Sequence, residues 1–363
     1  MAPSAPSLAA FSFLSIFYKP QSYHGLSKLV SPQRSQSIEA APEFSISYRD
    51  FDACHAALSA ALVRFNNIFG DPWSVLILRD CFLGISRFTE FLDSTGITRQ
   101  TLSARLKELT RHGVLHRVRY NERPARYEYR LTPKGLDLHR FAYAVWKWSV
   151  DWSLSPPTLP TILFFRKTLQ PVSPILACSN CQTPLVLEDL VMGAVGRESL
   201  DLQLNRRARR WAGNTTAAFI GDTLFGKRTF IIGDRWVGLI LASVLLGVYS
   251  FDRLADRLGI ATNILAHRLK MLTEYGLLSA PVYEPGQRCY EYRPTQEAAA
   301  LVPLFLAISE WVTRWETPDG AAPPVWWHRP CGAAIKTCLV DETSGGRLLV
   351  SDIRFSMPIK DQQ

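Results

Sequence analysis

GDPWSVLILRDCFLGISRFTEFL, residues 70–92, returns 163 positions later as GDRWVGLILASVLLGVYSFDRLA, residues 233–255. The correspondence continues without a gap to WKWSVDW (146–152) and ISEWVTRW (308–315), with about a third of the aligned positions identical. Repeats of about 80 residues are too long for solenoid units, and each is long enough to bury a core of its own. The chain therefore reads as two homologous domains in tandem, a covalent pseudo-dimer.

Within the first copy, Pro72 to Leu83 has helical apolar periodicity, with proline at an early helical position where its missing N–H costs nothing. Ser86 to Ser94 reads as a second short helix. Gly96 breaks the chain, and Thr98 can cap a third helix whose Leu102, Leu106 and Leu109 stand at i, i+4 and i+7. Two helices joined through a glycine turn make a helix-turn-helix, with the third helix in the recognition position. Val114 to Val118 and Tyr127 to Leu131 read as strands flanking the tip YNERPAR, 120–126, a wing. Lys134 to Trp152 reads as one long amphipathic helix with Phe141, Val145, Trp148 and Trp152, more apolar surface than one small domain needs. The surplus predicts a helix-helix interface. The expected fold class is mainly α with small β wings, α+β.

Together, GDPWSVLILRD, FTEFL, TLSARLKELTRHGVL (101–115), YEYRLTPKG (127–135) and the closing tryptophan-rich helix resemble the HxlR-type winged helix-turn-helix regulators. The second copy, through GDRWVGLILA, LAHRLKMLTEYGLL (265–278), YEYRPT (290–295) and ISEW, resembles the same family more loosely. The resemblance implies a transcription factor that pairs through terminal helices and binds near-palindromic DNA, here with both half-site readers on one chain. The implied partner is double-stranded DNA, with an unknown small-molecule effector as a further candidate. The rival reading is a ligand-sensing or protein-interaction scaffold whose second copy no longer binds DNA.

A formal net charge of +9 suits an anionic partner, but placement says more than the total. From Thr98 to Arg130 nine Arg/Lys face three acids, a local net of +6; from Ala261 to Arg293 four face three, a net of +1. Arg99, Gln100, Ser103 and Lys107 lie off the leucine stripe, and Arg and Gln suit bidentate contacts with guanine and adenine edges. Arg119, Arg123 and Arg126 on the wing suit phosphates or the minor groove. Thr98 completes the first DNA-facing set. Arg105, matched by Arg268, sits at the edge of the stripe and suits a phosphate contact or an internal salt bridge. The second copy offers Thr262, Asn263, His267, Lys270 and, on its wing tip EPGQR, Arg288. Tyr127, Glu128, Tyr129 and Arg130 recur as Tyr290, Glu291, Tyr292 and Arg293, and Trp73 as Trp236; these take structural roles.

No enzyme signature is present: there is no HExxH or GxSxG, and GDTLFGK (221–227) lacks the Ser/Thr of a phosphate loop because Arg228 follows. In redox-sensing relatives a cysteine precedes the GDxW motif; Ser59, Ala60 and Thr223 stand there instead. The resemblance also implies a small zinc-ribbon-like tail after each domain, with an HxxCG step followed by CxxC. The first tail keeps Cys178 and Cys181 but has Phe165 and Thr168 in the other places; the second keeps His328 and Cys331 but has Asp341 and Ser344. Four ligands are needed for a structural zinc, so both tails are expected to be metal-free hairpins, with no cofactor. The alternative is one zinc shared by Cys178, Cys181, His328 and Cys331. The expected organisation is a disordered leader (1–48), domain 1 (49–153), a linker with CxxC tail (154–205), domain 2 (206–317) and a C-terminal tail (318–363). Seven scattered cysteines and no uniformly apolar stretch of membrane-spanning length suggest a cytoplasmic, nucleoid-associated protein with no membrane partner.

Overall fold

The computed structural model describes residues 48–123, 125–152, 162–192, 233–279, 291–317 and 326–355. The first copy runs α1 (Tyr48–Phe69), α2 (Pro72–Phe82), α3 (Phe88–Thr95), α4 (Arg99–Arg111), β1 (Leu115–Asn121), β2 (Arg126–Leu131), α5 (Pro133–Leu136) and α6 (His139–Trp152). A tail follows with β3 (Leu163–Phe165), β4 (Pro171–Val172), β5 (Pro174–Cys178) and β6 (Leu190–Met192). The second copy repeats the series as α7 (Arg235–Leu245), α8 (Phe251–Leu258), α9 (Thr262–Glu274), α10 (Gln296–Ala299) and α11 (Val302–Trp315), each helix shifted by 163 residues. Its tail holds β7 (Trp326–His328), β8 (Ala333–Ala334), β9 (Thr337–Asp341), β10 (Arg347–Leu348) and β11 (Ile353–Phe355). The mixed helical and small-sheet class is the one expected. Most of the leader, the loop 221–227 and the second wing tip with Arg288 lie outside the described residues.

Local chemistry explains the shared helix bounds. Asp71 and Asp234 cap α2 and α7, accepting the amides of Ser74 (3.0 Å) and of Trp236 and Val237 (2.9 and 3.0 Å). Each capped donor would otherwise be an orphan of the first turn. Gly96 and Gly259 end α3 and α8 in the left-handed region, at φ 66° and 56°, a conformation a side chain would strain. Thr98 caps α4 through the Thr101 amide, and Leu102, Leu106 and Leu109 are fully buried beneath it, as are Leu265, Leu269 and Leu272 beneath α9. The wing pairs β1 with β2 in antiparallel register, Leu115 opposite Leu131.

Two features depart from the sequence expectation. The long helix over 134–152 is broken into α5 and α6. Gly135 lies so close to the Val114 carbonyl that a Cβ there would fall 2.3 Å from the oxygen, pinning α5 to the wing base. The Lys134 carbonyl accepts the Trp311 indole N–H at 2.9 Å, while the Leu138 amide turns back to Gly135. The second departure is α1, which precedes the repeat motif. Its buried Leu58, Ala61, Leu62, Phe65, Ile68 and Phe69 follow helical spacing, and it lies against the other copy. His55 Nε2 meets Ser243 Oγ at 2.8 Å, and Phe65 sets its ring edge-on to Trp311, centroids 5.9 Å apart.

The copies meet through reciprocal contacts. Trp148 Nε1 donates to the Glu297 carbonyl at 3.0 Å, and Trp311 Nε1 to the Lys134 carbonyl at 2.9 Å; the two bonds are related by the same 163-residue shift. Such reciprocity marks an isologous interface. Arg314 adds an ion pair to Asp137 at 2.7 Å, and one buried apolar cluster runs through both copies.

The tails are not two separate hairpins. Their three sheets run β10-β9-β5, β11-β3-β4 and β6-β7-β8, each mixing strands from both tails. Ile175 pairs with Val340, Leu163 with Phe355 and Leu190 with His328. Bonds between the tails again come in shifted pairs: Ser179 N to Lys336 O matches Glu342 N to Ser173 O, both 2.8 Å.

Candidate nucleic-acid interface and thiol-imidazole cluster

On α4, Thr98, Arg99, Gln100, Ser103 and Lys107 are exposed, on the side away from the buried leucines. Thr98 is occupied with its capping bond, whereas Arg99, Gln100, Ser103 and Lys107 have no protein partner among the described residues. On the wing, Arg123 and Arg126 are exposed and likewise unpaired. Arg119 is exposed but donates to the Asn121 and Glu122 carbonyls (3.3 and 2.7 Å), bracing the tip. Arg117, a residue not placed in the DNA-facing set, stacks on the Tyr127 ring at 3.7 Å and stiffens the hairpin. Glu128 is buried and takes the Arg130 guanidinium at 2.6 Å, as Glu291 takes Arg293, in keeping with structural roles.

Arg105 and Arg268 part company with the other candidates. Arg105 Nε lies 3.1 Å from Asp71, and Arg268 Nη2 lies 2.8 Å from Asp234, with side chains only 19% and 22% exposed. Each ties its helix, α4 or α9, to the helix cap beneath it through an internal salt bridge. On α9, Thr262, Asn263, His267 and Lys270 are exposed, with Lys270 3.8 Å from Glu274. The second head presents the same geometry with less positive charge.

The expectation of metal-free tails meets a different arrangement. Because β5 pairs with β9 and β6 with β7, Cys178 and Cys181 from the first tail come together with His328 and Cys331 from the second, their ligand atoms within 4.8 Å of one another. Cys178 Sγ lies 3.8 Å from Cys331 Sγ; His328 Nδ1 lies 3.2 Å from Cys181 Sγ and 3.4 Å from Cys331 Sγ. A tetrahedral ion with metal–sulfur bonds of about 2.3 Å and metal–nitrogen of about 2.0 Å sets sulfurs about 3.8 Å apart and sulfur and nitrogen about 3.5 Å apart. The donor set and edge lengths fit such an ion. His328 and Cys178 are fully buried while Cys181 is exposed. Burial pushes the Cys331 thiol up, but bonds from the Ala333 amide, Asn180 and His328 outweigh it and bring it to about 6.

The shifted positions Phe165, Thr168, Asp341 and Ser344 offer no such set. Asp341 accepts the Ser173 amide at 2.9 Å and the Ser344 amide and hydroxyl at 2.9 and 2.7 Å, closing that corner on itself. Thiol sensing ahead of the GDxW motif has no support at Cys54, which is buried on α1. An apolar cavity lined by Leu58, Leu245, Phe305, Leu306 and Trp326 has a volume of about 30 Å³, too small for an organic effector. No described helix is long and apolar enough to cross a membrane.

A family model described as HxlR-like helix-turn-helix matches twice, at residues 68–155 and 231–319. Uncharacterized HTH-type transcriptional regulators of Mycobacterium bovis and Mycobacterium tuberculosis are 34% identical over 130 residues, which span 36% of this chain and 82% of theirs. The Bacillus subtilis HTH-type regulator YvaP is 36% identical over 96 residues, 26% of this chain and 89% of its own. Among solved structures, a candidate transcription factor designated PA1607 is 32% identical, with 36% of this chain and 92% of that chain covered and a TM-score of 0.33.

Proposed function

Since the chain belongs to the HxlR-like helix-turn-helix family of transcriptional regulators, and carries that domain twice, we propose that one chain is a complete DNA-reading unit. The family binds DNA and is not enzymatic. In this reading α4 and α9 enter successive major grooves of a pseudo-palindromic site, about 34 Å apart. Arg99 and Gln100 read base edges; Ser103, Lys107, Arg119, Arg123 and Arg126 hold the backbone; Thr262, Asn263, His267, Lys270 and Arg288 do the corresponding work in the second half-site. The reciprocal Trp148 and Trp311 bonds carry the proposal, because a contact that separate subunits would make is made here within one chain. The protein would work in the cytoplasm.

The three thiols and the imidazole hold zinc in this account, the ion best suited to a tetrahedral sulfur and nitrogen set. The weaker charge of the second head favours one rival: a second copy retained only as scaffold. Selection of bound genomic fragments, followed by titration at several salt concentrations, tests the whole reading. A steep negative salt slope on selected fragments is expected. Salt-insensitive self-association with no DNA retained would contradict it.

A further inference from the structure

We propose that the Cys178, Cys181, His328 and Cys331 site is a detachable clasp: one zinc ion per chain locks the interleaved tails and so fixes how the two heads stand, making two-headed DNA binding zinc-dependent. The inference rests on the zinc reading above and adds its stoichiometry and its consequence.

Each tail supplies two ligands, with 147 to 153 residues separating the residues that face each other, so an ion adds a cross-link between segments that short strands and small apolar clusters otherwise hold together. The site is single. Its counterpart under the 163-residue shift is filled by Phe165 and Thr168 and by an Asp341 saturated with hydrogen bonds. The clasp is also mechanically connected to the heads. Cys178 packs in one cluster with Leu185 and with Val302 and Leu306 of α11, and Glu310 of α11 accepts the amide and hydroxyl of Thr337 at the start of β9, both at 2.6 Å. That same helix sends Trp311 to the Lys134 carbonyl of the first copy. A change at the cluster is thus passed along α11 to the contact between copies.

Two features make the ion exchangeable rather than sealed in. Cys181 is exposed, giving chelators a way to the site. Nε2 of the fully buried His328 finds no acceptor among the described residues, whereas metal-bound histidines ordinarily donate their second ring N–H, and losing that support costs about 10- to 100-fold in affinity.

The full chain, stripped with a chelator under reducing conditions and reloaded with zinc or cobalt(II), tests this. Expected are one ion per chain, a cobalt spectrum with thiolate charge-transfer and tetrahedral bands, and an unchanged helical signal in the stripped chain. On a selected fragment carrying both half-sites, the stripped chain should bind on the order of tenfold to hundredfold more weakly, while affinity for a single half-site stays constant. Amides of α6 and α11 should exchange faster without the ion, a readout that needs no DNA. Cys181→Ser, at an exposed position, should reproduce the stripped behaviour in the presence of zinc. Failure to bind stoichiometric zinc or cobalt would overturn the zinc reading itself. One ion bound with exchange and both affinities unaltered, or heads that unfold when it leaves, would leave zinc in place and overturn the clasp.

Discussion

The two copies agree in the contacts they exchange and differ most in the charge they present outward. Their helices begin and end at positions 163 residues apart, their caps are both aspartates tied to an arginine, and their tryptophans trade the same hydrogen bond. Yet the segment from Thr98 to Arg130 carries a net +6 and its counterpart +1, and one shared tail corner gathers three thiols and an imidazole where its counterpart has Phe165, Thr168, Asp341 and Ser344. Reciprocal packing constrains both partners at once, since altering one side leaves the other's polar groups unsatisfied. A DNA-facing surface carries no such mutual constraint, so the halves can divide the labour there.

The largest effect is expected at the interface between the copies. Trp148→Ala and Trp311→Ala should each destabilise the chain by about 3 to 5 kcal/mol, and by similar amounts, in denaturant titrations. A large loss from one and little from the other would mean the interface is not reciprocal in energy.

A buried difference comes next. At shifted positions the first copy has Asp80, paired with Arg79, and the second has Ser243, bonded to His55. Burial, helped by nearby Arg257 and opposed by Asp52, lowers the His55 imidazole to about 4. A pKa depressed in the folded state means the unfolded chain takes the proton first. Stability should therefore be intact above about pH 6.5 and fall by about 3 kcal/mol as pH drops to about 4. His139, likewise lowered to about 4 by burial, titrates in the same window, so His55→Gln should remove only His55's share of the fall; an unchanged slope would show that His55 contributes nothing.

Between the recognition helices, Arg99→Ala with Gln100→Ala should cost about 1 to 3 kcal/mol per lost base contact and relax sequence preference without lowering stability. Thr262→Ala with Asn263→Ala should cost less, read in the same competition assay. Smallest is the wing effect: Arg123→Ala with Arg126→Ala should flatten the salt slope by about 2 and Arg288→Ala by about 1. Equal slopes would erase the electrostatic asymmetry.

The helix-turn-helix was legible because leucines at Leu102, Leu106 and Leu109, a capping threonine and a glycine stop are local signals. The outward set on α4 followed from the same stripe. Helix α1 carries an equally clear pattern, at Leu58, Leu62, Phe65 and Phe69, but it precedes the repeated motif, so the self-similarity of the chain does not mark it. The break between α5 and α6 was not legible, since Lys134 gives its carbonyl to a tryptophan 177 residues away. Nor was the interleaving of the tails, which pairs strands more than 130 residues apart. The four-residue cluster was legible as the shared-site alternative. CxxC survives where HxxC is lost, and HxxC survives where CxxC is lost; two sites each fed by both tails would leave that complementary pattern when one of them decays.

Footprinting a selected fragment, with the mass of the complex measured by analytical ultracentrifugation, decides whether one chain serves as both heads. One chain per DNA is expected, with two protected half-sites one helical turn apart, about 34 Å. A single protected half-site per chain, or two chains required for any protection, would contradict it.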